Sequence, residues 1–83
     1  MKTIVFSPAA SKDFDALPGS AQAQITAGLT DYAISGRGDV KKLSGQPLYR
    51  LRIGRYRVIF DENRTTITAI SIGKRETTTY RRN

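Results

Sequence analysis

The chain has no cysteine and no histidine. The first absence excludes a disulfide framework, a cysteine-ligated zinc or iron–sulfur site, and thiol chemistry. The second removes the commonest general base, the commonest metal ligand and every Ser-His or Cys-His arrangement. No stretch of 18 apolar residues occurs, so a membrane-spanning helix is not expected. The opening Met1-Lys2-Thr3-Ile4-Val5-Phe6 carries one basic residue and a short apolar run, and Pro8 and Lys12-Asp13 follow too soon for a secretory signal. A cytoplasmic location is the simplest expectation. With 83 residues, one domain spanning 1–83 is expected. A chain of this size buries only about 60% of the surface exposed by its unfolded form. Chemistry is therefore expected on a sheet surface or in a shallow groove, not in a deep cavity.

Acidic side chains are also scarce. Fourteen Lys and Arg stand against seven Asp and Glu, a formal charge of +7. The excess is uneven. Residues 1–45 carry five basic and four acidic side chains, whereas 46–83 carry nine basic and three acidic, and eight of those nine are Arg. Arg forks onto phosphate and stacks on bases. The asymmetry points to an anionic partner such as a nucleic acid or an acidic protein.

Residues 2–6 read as a short strand. Ser7-Pro8 then opens a helix, with Ser as N-cap and Pro in the first position. Ala10, Phe14 and Leu17 give it one apolar face. Pro18-Gly19 ends it, and Ser20 is expected to cap a second helix whose apolar face is Ala21, Ile25, Leu29, Tyr32 and Ala33. Gly36 and Gly38 stop that helix. The period then changes from 3.6 to 2. Strands are expected at 48–53, 56–60 and 65–72. They are joined by a two-residue turn at Gly54-Arg55 and a polar turn at 61–64, with Gly73 breaking the last strand. The expected fold class is α+β, in the order β-α-α-β-β-β. It is a small antiparallel sheet, joined by the N-terminal strand, with a helical hairpin packed on one face.

Side chains alternate across a strand. With Gly54-Arg55 as the turn, Arg52 faces Arg57 and Arg50 faces Ile59. Arg50, Arg52 and Arg57 then share one face, while Tyr49, Leu51, Ile53, Tyr56, Val58 and Phe60 form the core face. Like charges directly opposite each other destabilise a sheet, so an Arg52–Arg57 pair invites an anion between them. Lys74 and Arg75 follow Gly73, and Tyr80 lies in a basic tail beside Arg81-Arg82. An aromatic ring among basic side chains suits RNA, whose unstacked bases sit on aromatic rings and Arg planes.

Three segments carry a resemblance. They are Lys41-Lys42-Leu43-Ser44-Gly45, the run from Tyr49 to Phe60, and Ile70-Ser71-Ile72-Gly73-Lys74-Arg75-Glu76. Together with Phe6-Ser7-Pro8-Ala9-Ala10 and Leu17-Pro18, they resemble the RelE/ParE superfamily of toxins of bacterial type II toxin–antitoxin modules. The resemblance implies a RelE-like fold over nearly the whole chain. For the RelE-like branch it implies a ribosome-dependent mRNA endonuclease that uses no metal and no cofactor. In that chemistry the RNA 2′-hydroxyl attacks the adjacent phosphate, leaving a 2′,3′-cyclic phosphate and a 5′-hydroxyl. By position in the motif, Arg57, Arg75 and Tyr80 match the catalytic set. Arg50, Arg52, Lys74 and Arg81 are the implied RNA- and phosphate-binding residues. Arg50 and Arg52 stand where such nucleases often have Lys, and Arg is the poorer proton-transfer group. The implied partners are an antitoxin that is acidic and partly disordered until bound, the ribosome and mRNA, with no membrane. The ParE-like branch shares the fold and implies instead a non-enzymatic inhibitor of DNA gyrase.

Tyr80 allows a direct test. A phenol amid positive charge is drawn toward its ionised form and becomes able to take the 2′-hydroxyl proton. A ring there can instead stack on a base. Stacking predicts that Tyr80→Phe is nearly neutral and that Tyr80→Ala is the damaging change. Proton transfer predicts a roughly 10²–10⁴-fold loss with Phe. Single-turnover cleavage by the Tyr, Phe and Ala forms separates them, and the expected outcome is stacking.

Overall fold

Ser7 sets the first boundary. In the computed structural model, which describes residues 1–74, strand β1 (Thr3–Phe6) ends at Ser7 and helix α1 (Pro8–Asp15) begins. The Ser7 hydroxyl accepts the Ala10 amide at 3.1 Å, while its own hydrogen goes to the Ile70 carbonyl at 2.8 Å. One side chain thus caps a helix and satisfies a distant strand. Helix α2 (Gly19–Ser35) follows. It starts two residues earlier than expected, with Pro18 and not Ser20 in the capping position. Pro18 is extended, at φ −59° and ψ 154°, and its carbonyl accepts the Gln22 amide at 3.0 Å, so no side-chain cap is used. Gly36 ends α2 in the left-handed conformation at φ 76°, which glycine adopts without a Cβ penalty.

Four strands follow among the described residues: β2 (Asp39–Lys42), β3 (Tyr49–Ile53), β4 (Tyr56–Glu62) and β5 (Thr66–Lys74). The sheet order is β1-β5-β4-β3-β2. Neighbours are antiparallel except β1 and β5, which run parallel. Three differences from the sequence reading follow. The expected order lacked β2, whose single apolar residue, Val40, gives no strand periodicity. The sheet is mixed, because the last strand inserts between the first and the fourth. Gly73 does not break β5. It continues the ladder opposite Arg57, while the irregularity falls at Ile59/Phe60, where the register shifts.

On the other side of β5 the pairing with β1 ends at Phe6 opposite Ala69, which leaves β5 backbone groups beyond it, and α1 with its cap residue Ser7 supplies their partners. The Ile70 carbonyl takes the Ser7 hydroxyl, and the Ile72 amide donates to the Asp13 carboxylate at 2.9 Å.

The core lies between the helix pair and one face of the sheet. Ala10, Ile25, Leu29 and Ala33 from the helices meet Leu51, Ile53, Val58, Phe60, Ile67, Ala69 and Ile72 from the strands. Phe60 is fully buried, with Tyr49 stacked against it at 5.5 Å and Tyr32 edge-on at 5.4 Å. Gly28 lets α2 approach β3. A Cβ there would lie 2.7 Å from Ile53 Cδ1, closer than carbon atoms pack.

At the other end of the sheet, Glu62 joins three elements. It accepts hydrogen bonds from Lys2 Nζ and, at 2.8 Å, from the Tyr32 hydroxyl. Burial acts to raise the Glu62 carboxyl, but these two hydrogen bonds and the Lys2 charge outweigh it and hold the group below the usual carboxylate range. Burial first, then the bond to Glu62 and its charge, pushes the Tyr32 phenol up to about 12. Because the Glu62 pKa is lowered by folding, its stabilising contribution is full above about pH 4.5 and is lost as pH falls through the folded-state value. Glu62→Gln should therefore cost about 1.5–3 kcal/mol at neutral pH, the usual worth of hydrogen bonds to a charged group. Urea denaturation at pH 7 and pH 3 should show the gap between wild type and variant narrowing in acid.

Candidate nucleic-acid interface

Both helices cover one side of the sheet, so the alternation along β3 and β4 decides what the other side presents. The Gly54-Arg55 turn occurs where the sequence places it, with Gly54 at φ 58°. It sets Leu51 opposite Val58 and Ile53 opposite Tyr56 on the core face. On the open face Arg52 stands opposite Arg57, and Arg50 opposite Ile59. The expected arginine cluster is thus assembled on the face that carries no helix among the described residues. Arg57 faces Gly73 on β5, which presents no side chain there, and the space a Cβ would take is open among the described residues.

The pairing of β2 with β3 extends this face. Asp39 lies opposite Arg52, and Lys41 lies opposite Arg50. Asp39 Oδ2 approaches Arg52 Nη1 at 3.5 Å, so Arg52 has a carboxylate on one side and Arg57 on the other. Arg50 is half-buried, and its Nε is buried with no hydrogen-bond partner among the described residues. A buried donor left unpaired costs free energy.

Lys74 takes a different position. It pairs with Tyr56, which belongs to the core-side row, so the register sets it on the opposite face from Arg50, Arg52 and Arg57. Arg75, Tyr80 and Arg81 lie outside the described residues. Sequence reasoning missed Asp39 and Lys41. Their signal was the two-residue spacing around Val40, too short to identify a strand without knowing its partner.

The open face therefore offers Lys41, Arg50, Arg52 and Arg57 against two carboxylates, Asp39 and the exposed Asp61 two residues beyond Ile59 on β4, beside the half-buried Ile59 and Ser71. It is shallow and cationic. It can neutralise a phosphate backbone and place guanidinium groups where negative charge builds during phosphoryl transfer.

Asp39 is the counter-charge that makes this arrangement tolerable before any ligand binds. Asp39→Asn should destabilise the domain at low salt by roughly 0.5–1 kcal/mol, because Arg52 then faces Arg57 uncompensated. The loss should shrink in 1 M salt, where charges are screened over about 3 Å. Urea titrations at the two salt concentrations check this.

Comparison with known proteins agrees with the architecture. The structure is similar to isolated E. coli RelE toxin, with a TM-score of 0.78 and 23% identity over 95% of this chain and 89% of that one. It is similar to a chain of the intact E. coli RelBE toxin–antitoxin complex, with a TM-score of 0.76 and 24% identity, covering 93% of this chain and 100% of that one. It is also similar to a chain of the Methanococcus jannaschii RelB–RelE complex, with a TM-score of 0.69 and 25% identity over 84% and 88% of the two chains. No curated protein sequence matches. The sequence model of the family described as "ParE toxin of type II toxin-antitoxin system, parDE" matches residues 4–78. With that match covering most of its length, and the fold shared with RelE structures, the chain belongs to the RelE/ParE superfamily of type II toxin–antitoxin toxins.

Proposed function

We propose that this toxin is a RelE-like endoribonuclease that cuts mRNA on the ribosome, in the cytoplasm, and so arrests translation. The observation that carries the reading is the register of β3 on β4, which gathers Arg50, Arg52 and Arg57 on a sheet face that no helix of the described residues covers. Such a face fits a single RNA strand laid across it. The ribosome would present the strand in the conformation that cleavage needs, since a surface this shallow binds RNA through its phosphates but does little to bend it alone.

The reaction is an internal transesterification. The 2′-oxygen forms a bond to phosphorus as the bond from phosphorus to the 5′-oxygen breaks. One proton leaves the 2′-hydroxyl and one reaches the departing 5′-oxygen. Arg57 and Arg75 act on the non-bridging oxygens, where charge accumulates. An Arg keeps its proton at physiological pH, so proton transfer falls to Tyr80 or to groups of the substrate and the ribosome. Arg50 and Arg52, with Arg81, hold the strand through its phosphates. Lys74 binds phosphate in this reading only where the strand passes the end of β5, given its place on the other face.

A cognate antitoxin is part of the proposal. RelE from E. coli and from M. jannaschii has been seen in complex with RelB. A strongly basic toxin gains rate and specificity of association from a partner of opposite potential. An acidic segment that folds on binding would cover part of the basic face.

The description of the matched family favours a second reading, a ParE-like inhibitor of DNA gyrase. It needs no convergent set of phosphate ligands. Translating ribosomes programmed with a defined mRNA separate the two. The first reading predicts cuts within codons and unimpaired gyrase, and the second predicts intact mRNA and loss of supercoiling.

Arg57→Ala and Arg75→Ala should each abolish growth arrest while leaving the far-UV circular dichroism of the domain unchanged. Arrest at the wild-type level by either variant, at equal expression, would remove that residue from the site.

A further inference from the structure

The open face carries a second cationic pair that the catalytic assignment does not use. Lys41 on β2 and Arg50 on β3 are direct cross-strand partners on the same face as Arg57. Two like charges in this position destabilise the ladder. The neighbouring pair on the same two strands shows the alternative: Asp39 faces Arg52, and the two approach to 3.5 Å. The only ion pairs among the described residues are Arg52–Asp39 and Lys2–Glu62, so neither takes up Lys41 or Arg50. Arg50 also holds a buried, unpartnered Nε–H.

A lysine on an edge strand has an ordinary purpose, discouraging another strand from pairing there. Lys42 already serves it on the neighbouring position, where it pairs with Tyr49 on the helix side. An acidic residue at position 41 would protect the edge equally well and would also neutralise Arg50. Protection alone therefore leaves the choice of a cation at position 41 unexplained.

We propose that Lys41 and Arg50 form a phosphate subsite for a nucleotide flanking the one that is cut. This rests on the reading of the open face as an RNA-binding surface. Arg57 lies on β4 and Lys41 on β2, two strand spacings apart and so roughly 10 Å across the sheet. Arg50 and Arg52 on β3 lie between those strands, and half-buried Ile59 flanks Arg57 on β4, opposite Arg50. An RNA strand crossing from β4 to β2 thus meets Arg57 first, passes Ile59 and Arg52, and is held again by Arg50 and Lys41. Asp39 compensates Arg52 between the two, which keeps them distinct anion positions. Lys41 is a positioning residue: it fixes the path of the strand and touches no reacting atom.

The test is equilibrium binding of the full-length protein to a fluorescent, unstructured ten-nucleotide RNA over a sodium chloride series. For single strands the slope of log K against log salt is about −0.7 for each phosphate neutralised. Lys41→Gln should weaken the slope by about 0.7, and Lys42→Gln, which removes the same charge from the other face, should leave it unchanged. Lys41→Gln should also raise the melting temperature of the free protein at low salt, with the gain vanishing at high salt. Equal slope changes in both variants, or none in either, would overturn the subsite, as would no gain in melting temperature. Wild-type protein that fails to bind the RNA at low salt would overturn it too. A weaker grip on an acidic antitoxin with an unchanged RNA slope would assign the pair to the protein partner and reject the phosphate site. If the Lys41→Gln slope falls but ribosomes carrying mRNA show no cleavage, the subsite stands and the endonuclease reading fails.

Discussion

The register of the β3–β4 hairpin is the constraint on which the rest of this molecule depends. Side chains alternate with a period of two, so a slip of one residue would send Arg50, Arg52 and Arg57 into the core and Leu51, Val58 and Phe60 into water. The Gly54-Arg55 turn sets that register locally, and Gly54 supplies the positive φ it requires. Burial of Leu51, Ile53, Val58 and Phe60 against α2 enforces it globally. Fold and candidate site are therefore two sides of one hairpin.

The rest of the architecture follows from having a single helical layer. The helix pair covers one face, and nothing in the described chain covers the other. Strand β5 enters between β1 and β4, and Ser7 and Asp13 hold it there. These contacts satisfy backbone groups where β1 ends, so the sheet is closed off at that edge without a sixth strand. The same insertion brings Gly73 opposite Arg57, leaving room on the open face next to the guanidinium.

Much of this was legible in the residues. Ser7-Pro8, the apolar spacing Ile25, Leu29, Ala33 and the left-handed Gly36 specified the helices, because capping and periodicity are local signals. The arginine cluster was legible as well, since a two-residue turn fixes which residues face each other. What was not legible depended on distant partners. Asp39–Lys42 is a strand only because β3 pairs with it, and it brought in Asp39 and Lys41, which change the electrostatics of the open face. Gly73 reads as a breaker by propensity, yet the ladder to β4 carries it through. The face assigned to Lys74 follows from the register of that same ladder. The roles of Arg75, Tyr80 and Arg81 rest on motif position alone, since they fall outside the described residues.

The account claims that an uncovered, arginine-bearing sheet face acts on RNA held by the ribosome. Genome-wide mapping of RNA 5′ ends shortly after induced expression tests this most directly. The account predicts new 5′-hydroxyl ends within open reading frames of translated messages, at fixed positions relative to codon boundaries, and their loss when translation is blocked beforehand. An unchanged set of RNA ends in growth-arrested cells, with relaxed chromosomal DNA, would contradict it.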